Sequence, residues 1–438
     1  MPPRKKQPKK TTIPRFSGFA HIAPPLADIT QKTWGAPLLE NLERYYDLYT
    51  SVPYIRSGID TLAGMAARNG ISVDEDTGAP DVRTYVAELL KQLFPVSTLR
   101  EIIRLGLVYG TAFAEIIYEY PPDTVPYESL RPQLHLPNAL QESEYDKFII
   151  DEKYAAFLEE EAEIRSQVGE PLYLKTLDSR FMRVLGDSKG RIWGYIQWVP
   201  PLTYLRRYHI FHWVHDRRSE LYEWFYGNSL LRSVLRIQTI ITQLENDITM
   251  AIHFQAFPPI KARIGSDTVK PTPAQFDAVK NELISRPAGG NIIVPWFADV
   301  EWMQQPAGVI SRVEWFFRHL LREREQALGV ARLFFGEVGG VSRSVGEFLL
   351  AEAENKIETI RQTLEEAIME QIIKPSVAAR FPDMSHEDIP ELKWSPAIPA
   401  TLRDKILTLV DLSQSQGIDD ELRQKVIQTL RNVIDAED

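Results

Sequence analysis

The sequence predicts an α+β fold that is mainly helical, and three observations lead to this prediction. Residues 228–381 contain three long segments whose apolar residues recur at intervals of three and four, as in amphipathic helices. Residues 110–214 are richer in β-branched and aromatic residues that alternate with polar ones, which indicates strands. A short mixed segment, residues 256–308, separates the first two long helices.

The composition is that of a folded chain without disulfides. Hydrophobic residues make up 44% and charged residues 25%, which are ordinary globular values, and 438 residues are too many for one core, so we expect at least two lobes. The absence of cysteine excludes disulfides, thiolate metal sites and cysteine nucleophiles. No secretory signal and no membrane-spanning apolar stretch is visible, so we expect a protein that is made in the cytoplasm and has no membrane contact.

Charge is distributed unevenly along the chain. The net charge is −10, but residues 1–15 contain basic residues and no acidic one. We expect residues 1–24 to form a disordered basic tail, and binding of this tail to phosphate or to an acidic protein surface is the alternative. The remainder is more acidic than the total implies, which argues against tight wrapping of nucleic acid.

Residues 25–227 are predicted to form a lobe in which helices precede strands. Amphipathic helices begin near positions 38, 53, 81 and 96, and the alternating segment 111–120 predicts a strand. A hairpin is predicted over residues 181–198, and a further extended piece over residues 209–214. Residues 123–170 form a distinct acidic insertion, interpreted as a solvent-facing helix; a cation site made of its carboxylates is the alternative.

The second half of the chain is predicted to be built on long helices at residues 228–255, 309–330 and 346–381. A glycine-rich loop, residues 331–345, joins the last two, and its length and glycine content predict a mobile functional loop rather than a simple connector. Residues 382–438 begin with a proline-marked connector and continue as two predicted helices.

The segment between the first two long helices is predicted to be a small α/β module. Its predicted elements are strands at residues 260–264 and 291–294, an extended piece at 300–303 and a helix at 273–285. A module of this size is marginal by itself and is expected to need partners.

The sequence contains no convincing catalytic motif. His209, His212 and His215 could ligate zinc, but in a strand His212 would point away from the other two, so packing or interface histidines are the favoured interpretation. The glycine-rich loop lacks the lysine of a phosphate-binding loop, and no serine-hydrolase or zinc-protease motif occurs. We therefore expect no catalytic, cofactor-binding or metal-binding residues.

Three short stretches resemble segments of tailed-bacteriophage portal proteins, the head-to-tail connectors. Residues 221–234 are similar to the turn that leads into a stem helix, and residues 323–336 to the segment that ends the second stem helix and enters the tunnel loop. Residues 342–348 are similar to the start of the long wing helix. By element order the resemblance covers about residues 30–380, and it extends to portals of phages that infect thermophilic bacteria.

The resemblance implies a portal-like division of the chain. The implied parts are a wing at 25–227, stem helices at 228–255 and 309–330, a small α/β clip at 256–308, a tunnel loop at 331–345, a long wing helix at 346–381 and a helical crown at 382–438. The tunnel-loop residues expected to face DNA are Val338, Gly339, Gly340, Val341 and Arg343. The clip residues expected to face the terminase are Lys261, Arg263, Lys270 and Lys280.

The implied function is that of a homo-oligomeric ring of about twelve subunits at one capsid vertex. Such a ring would form the channel for packaging and ejection of double-stranded DNA, lie in the virion, and occupy the host cytoplasm during assembly. Its partners would be the terminase motor and the major capsid, scaffolding and head-completion proteins. Four apolar residues lie off the main stripe of the first long helix and are expected to pack on neighbouring subunits: Leu231, Leu235, Ile240 and Ile252.

Two other classes of function remain open from the sequence. One is a nuclease-like DNA-processing enzyme with an unrecognised carboxylate metal site. The other is a scaffold or adaptor protein that does not contact DNA.

Overall fold

The computed structural model describes residues 39–119, 154–159, 161–162, 165, 169–186, 191–199, 203–217, 225–256, 260–264, 270–285, 298–302, 309–329, 334, 342–398 and 403–408. The predicted class, α+β and mainly helical with small sheets, is confirmed. The chain divides into a large unit, Met1–Arg232 with Leu328–Asp438, and a small unit, Ser233–Ala327.

The large unit begins with a helical layer. Its elements are α1 (Leu39–Ser51), α2 (Pro53–Ala67), β1 (Ile71–Val73), α3 (Pro80–Leu93) and α4 (Val96–Tyr109). Proline at the first position starts α2 and α3, because its fixed φ suits a helix and its missing N–H is not needed there. Gly110, at φ +83°, ends α4 in the left-handed conformation that glycine adopts without strain.

Two antiparallel three-stranded sheets follow. Their strands are β2 (Thr111–Tyr118), β3 (Pro171–Leu177), β4 (Met182–Gly186), β5 (Ile192–Gln197), β6 (Thr203–Leu205) and β7 (Ile210–Val214), in the orders β3-β2-β7 and β4-β5-β6. Phe113, Met182 and Tyr195 belong to a buried cluster that draws residues from both sheets. Helix α4 lies directly against β7: a Cβ on Gly106 would stand 2.1 Å from Cζ3 of Trp213, so only glycine fits.

The small unit contains most of two long helices and the α/β module between them. Its elements are α5 (Leu231–Ala256), β8 (Ile260–Ile264), α6 (Pro273–Ser285), β9 (Ala298–Trp302) and α7 (Val309–Leu328), with β8 and β9 paired antiparallel. Gln238 of α5 accepts a hydrogen bond of 3.2 Å from Arg324 of α7, and both side chains are buried. This polar contact joins the two helices.

The chain returns to the large unit through one long, interrupted helix. It consists of α8 (Arg343–Ile368), a π-helical turn (Met369–Ile373) and α9 (Lys374–Arg380). In the π turn, Gln371 accepts a hydrogen bond from His212 N at 2.8 Å and donates one to His212 O at 2.7 Å. Strand β7 is the last strand of its sheet in the described part of the chain, so the Gln371 amide satisfies both backbone groups of one edge residue.

The segment after this helix pairs with the start of the large unit. In residues 382–398, which were predicted to begin the crown as an extended connector, β10 (Leu392–Trp394) pairs antiparallel with β1. The guanidinium of Arg361, which is 1% exposed, donates to the carbonyl oxygens of Ala66, Met65 and Ser395. Met65 and Ala66 belong to α2, and Ser395 follows β10. Arg361 therefore links the segment after β10 to α2.

Several predicted segments lie outside the described residues. They are the basic tail, residues 123–153 of the acidic insertion, the strand at 291–294, most of the tunnel loop and residues 409–438 of the crown. Among the described helices, none is long and apolar enough to cross a membrane.

Candidate functional site

The candidate site is the glycine-rich loop between α7 and α8, and its first anchor is well defined. Helix α7 ends at Leu328, and Gly329 follows at φ +62°. The Leu328 carbonyl oxygen accepts a 2.7 Å hydrogen bond from Nζ of Lys356 on α8. A Cβ on Gly329 would stand 2.2 Å from the same Nζ, so the glycine makes room for the lysine. Lys356 therefore caps α7 and holds the start of the loop against α8.

The side chain of Lys356 is half-buried. Burial lowers the pKa of Lys356 to about 8, while the carboxylates of Glu352 and Asp216 act in the opposite direction. The ammonium group faces the carbonyl end of α7, where the helix dipole favours positive charge. The cap is consequently strongest while the lysine is protonated.

The second anchor is the start of α8. Ser342 precedes the helix in an extended conformation, and Arg343 is the first helical residue, with its Nε 3.3 Å from Oε1 of Glu347. Arg343 was predicted to lie in the loop, and the helix instead begins there rather than at residue 346. Val345 and Phe348, 44% and 68% exposed, follow on the first turns.

The other predicted tunnel-loop residues, Val338, Gly339, Gly340 and Val341, lie outside the described residues. The structure thus gives the two fixed ends from which the loop departs. It does not place the loop residues that were expected to face DNA.

The predicted clip residues lie on two elements of the small unit. Lys261 and Arg263 occupy β8, where the register pairs them with Glu301 and Asp299 of β9. Arg263 therefore faces the opposite charge of Asp299, an arrangement that stabilises an antiparallel pair, so it does not belong to a purely basic patch.

The other two predicted clip residues, Lys270 and Lys280, are exposed before and on α6. Helix α6 is capped reciprocally: Gln275 N donates to Thr272 Oγ1, and Thr272 N donates to Gln275 Oε1 at 2.9 Å. The capping box orients this helix and its exposed lysine.

The histidine motif is separated by the fold. His209 ends a 3-10 turn, His212 is in the middle of β7, and His215 follows the strand. The His212 ring stacks on Phe113 at 4.7 Å between centroids and lies 3.3 Å, Nδ1 to Oη, from Tyr195. Burial lowers the pKa of His212 to about 3 and that of His209 and His215 to about 4. These are neutral histidines packed among other side chains.

No metal centre is formed by the residues that the structure describes: none of their His, Asp and Glu side chains gather in a group of three or more that could hold an ion. In the acidic insertion, Glu161 is buried and accepts a 3.1 Å hydrogen bond from the backbone N of Arg207. Its carboxylate serves a protein contact at this point.

Exposed apolar side chains on the small unit form a feature that the sequence only partly indicated. Ile252, predicted to be available to a neighbour, is 52% exposed, but Leu231 is fully buried in the large unit. Among the described residues of the small unit, the exposed large apolar ones are Met250, Ile252, Phe276, Trp315 and Phe316, and Trp315 of α7 is the most exposed of them, at 74%. No pattern in the sequence singled out Trp315.

Comparison with known proteins gives matches in structure but not in sequence. No protein-family model matches the chain, and no curated protein sequence matches it. A chain in the neck of an empty gene transfer agent (GTA) particle, computed with C6 symmetry, matches at 14% identity with a TM-score of 0.52, over 90% of this chain and 94% of that one. A chain in the neck of the native GTA particle, computed with C12 symmetry, matches at 13% identity and 0.51, over 92% and 97%.

Two further solved structures match the chain. A chain in the virion of the native GTA particle matches at 14% identity and a TM-score of 0.51, over 90% of this chain and 94% of that one. The crystal structure of an HK97-family phage portal protein from Corynebacterium diphtheriae matches at 11% identity over 79% and 93%, and its TM-score of 0.44 does not establish a shared fold by itself. Over about nine-tenths of its length, the chain has the fold of the matched chains from GTA necks and virion.

Proposed function

We propose that this chain is a portal subunit, which assembles into a ring at one vertex of a phage or phage-like capsid and forms the channel for packaging and ejection of double-stranded DNA. The observation that carries the proposal is the fold shared with chains of GTA particle necks over nine-tenths of the chain. The portal-like segments at residues 221–234, 323–336 and 342–348 support it independently from the sequence. The protein acts structurally and not as an enzyme.

Ring formation is supported by the surface of the small unit. Trp315, Met250 and Ile252 are each more than half exposed. Large apolar side chains cost free energy in water unless a partner covers them. In a closed ring each subunit presents one such surface and covers another, so no apolar surface is left over. The C12 symmetry of one matched neck favours about twelve subunits.

The loop of residues 331–345 is proposed to contact DNA in the channel. Its two ends are fixed by the Lys356 cap on Leu328 and by the helix start at Arg343. Val338 and Val341 can touch the duplex without forming the phosphate contacts that would hold DNA in place. The chain has a net charge of −10. An acidic channel surface would repel the phosphates and let DNA slide.

The remaining assignments concern partners. Lys261, Arg263, Lys270 and Lys280 are proposed to face the terminase motor during packaging and the head-completion proteins afterwards. The residues after 382 are proposed to face the capsid interior as a crown. The major capsid and scaffolding proteins would hold the ring at its vertex.

Mass measurement tests the assembly. The chain is 50.2 kDa, so a ring of about twelve subunits would have a mass of about 600 kDa. We expect a species of this size in sedimentation velocity and a ring with a central opening in negative-stain images. A stable monomer or dimer at micromolar concentration would contradict the proposal.

A double substitution, Val338→Asp with Val341→Asp, tests the channel role. The added charges should repel the DNA backbone, so heads should assemble with less packaged DNA while the ring forms normally. The matched control is Val338→Thr with Val341→Thr, which keeps the side-chain shape without adding charge. Normal packaging by the aspartate variant would show that the loop does not face DNA.

A further inference from the structure

The large unit contains a cavity of about 410 Å³ that none of the roles above uses. It is enclosed by β5, β7, the 3-10 turn at Arg207–His209, the helical segment at residues 154–162 and the π turn. This volume falls within the range of small-molecule sites, which begins at about 300 Å³. Its uncharged lining includes the aliphatic and aromatic side chains of Ile192, Tyr195, Ile210 and Phe225, together with the polar side chains of Gln371 and His212.

Cationic groups outnumber anionic ones around this cavity. Arg165, Arg207 and Arg217 line it, and the carboxylates on its walls are Glu161 and Glu370. Glu370 is already paired with Lys374 one helical turn away. Within the described residues, neither Arg165 nor Arg217 lies within salt-bridge distance of a carboxylate, and the guanidinium of Arg207 donates to a neutral group, Tyr154 Oη, at 3.0 Å.

Glu161 only partly offsets these three cations. It is 6% exposed, and burial raises its pKa to about 7. A carboxyl group with such a pKa is protonated for part of the time at neutral pH. The cavity therefore keeps a positive balance at neutral pH.

Two residues that line the cavity each have a buried polar atom without a hydrogen-bond partner within the described structure: the hydroxyl of Tyr208 and Nε2 of His212. The Tyr208 hydroxyl is the one that bears on the proposal. A buried unpaired hydroxyl is costly and is usually satisfied by protein, water or ligand. It adds a neutral donor to the charged donors of the arginines.

We propose that this cavity binds a small organic phosphate, a phosphomonoester attached to an apolar or aromatic body of nucleotide size. The guanidinium groups provide more donors than a carboxylate can accept and match the several oxygens of a dianionic phosphate. The volume exceeds that of the phosphate group alone, and the aliphatic and aromatic walls suit the attached body. The inference stands independently of the proposed portal role.

The test is calorimetric titration of the full-length protein with three probes: adenosine monophosphate, inorganic phosphate and adenosine. Adenosine monophosphate should bind at one site per chain and at least about tenfold more tightly than either of the other two, since each supplies only half of the contacts. Equal affinity for inorganic phosphate would overturn the assignment of the apolar body. Equal affinity for adenosine would overturn the assignment of the phosphate.

Charge substitutions locate the site. Arg217→Gln, on an exposed side chain, and Arg165→Gln should each weaken binding of adenosine monophosphate about tenfold, because each removes a charge-assisted hydrogen bond. Glu161→Gln should strengthen binding, since it removes the opposing charge and keeps the acceptor for Arg207 N. The matched control is Arg56→Gln, an arginine on α2 whose side chain is 61% exposed.

Binding unchanged by these variants, or weakened as much by Arg56→Gln as by Arg217→Gln, would show only general attraction of anions and would overturn the proposal. Absence of binding at millimolar adenosine monophosphate would overturn it as well. Thermal unfolding of each variant verifies that the large unit remains folded.

Discussion

The large and small units bury their apolar side chains to very different extents. In the large unit, helices and sheets cover whole faces, and residues such as Ile55, Leu99 and Phe211 are inaccessible to solvent. In the small unit, the described residues that are buried and apolar are Val234, Ile241, Val279 and Leu320, while Trp315 and Met250 are mostly exposed. We therefore expect the large unit to be stable as a single copy and the small unit to need neighbours.

The largest expected effect comes from removing that apolar surface. Replacing Trp315 and Met250 together by lysine should prevent assembly, because the surface that neighbours would cover becomes charged and well hydrated. Sedimentation velocity should then show monomers, while circular dichroism still reports the helical content of the large unit. Glu314→Gln on the same helix is the control and should leave assembly intact. If the double lysine variant still forms rings, the exposed apolar residues of the small unit are not needed for assembly.

The second effect concerns the large unit. Arg361→Met should lower its free energy of unfolding by about 3 kcal/mol, because the carbonyls of Met65, Ala66 and Ser395 lose their donor inside the protein. Urea denaturation measures the change. Arg380→Met, which removes an exposed ion pair with Glu170, serves as the control and should cost less than about 1 kcal/mol. Similar losses in both variants would contradict the role of Arg361.

Acid should weaken the large unit through its buried histidines. Unfolded His212 binds a proton below about pH 6.5, whereas the folded residue, with a pKa of about 3, stays neutral. Its contribution is therefore complete above pH 6.5 and is lost as the pH falls, by up to about 2 kcal/mol between pH 6.5 and 5. His212→Gln should flatten this dependence in thermal unfolding, while the exposed His253→Gln should not. Identical pH profiles of the wild type and His212→Gln would rule out this origin.

The smallest effect is expected at the start of the loop. Gly329→Ala should cost about 1–2 kcal/mol, because alanine is strained at φ +62° and its Cβ displaces the Lys356 ammonium group. Hydrogen exchange should speed up in the last turn of α7, where the cap is lost. Gly336→Ala is the comparison within the loop itself. Unchanged exchange in the Gly329 variant would show that Lys356 does not hold this helix end.

The sequence predicted the elements with strong local patterns. The long helices and the hairpin at 181–198 follow from residue periodicity, which needs no information from distant parts of the chain. Strands β1 and β10 have three residues each and are joined across more than three hundred positions, so no local pattern marks them. Arg361 lies next to Ile360 on the buried stripe of α8, and no local pattern marks it as a buried side chain. Its carbonyl partners become apparent only when α2 and residue 395 are brought together.

The candidate sites also depend on contacts between distant residues, which local sequence patterns do not reveal. The loop between α7 and α8 was recognisable from its glycines and its place between helices, but its lysine cap comes from a residue twenty-eight positions away. The arginine-lined cavity draws side chains from positions 158 to 375, and its three arginines did not stand out in the sequence. Spatial convergence of ordinary residues leaves no trace in spacing or composition.

The paired contacts of Gln371 with the backbone of His212 have a consequence for self-association. An open sheet edge invites strand addition by another chain, which leads to unlimited stacking instead of a closed particle. A glutamine amide that occupies both the N–H and the C=O of a central residue of β7 blocks that register, and the helix that carries it covers the edge. At this edge, copies of this chain are left with side-chain surfaces through which to recognise one another, and such surfaces can fix the geometry and the number of subunits.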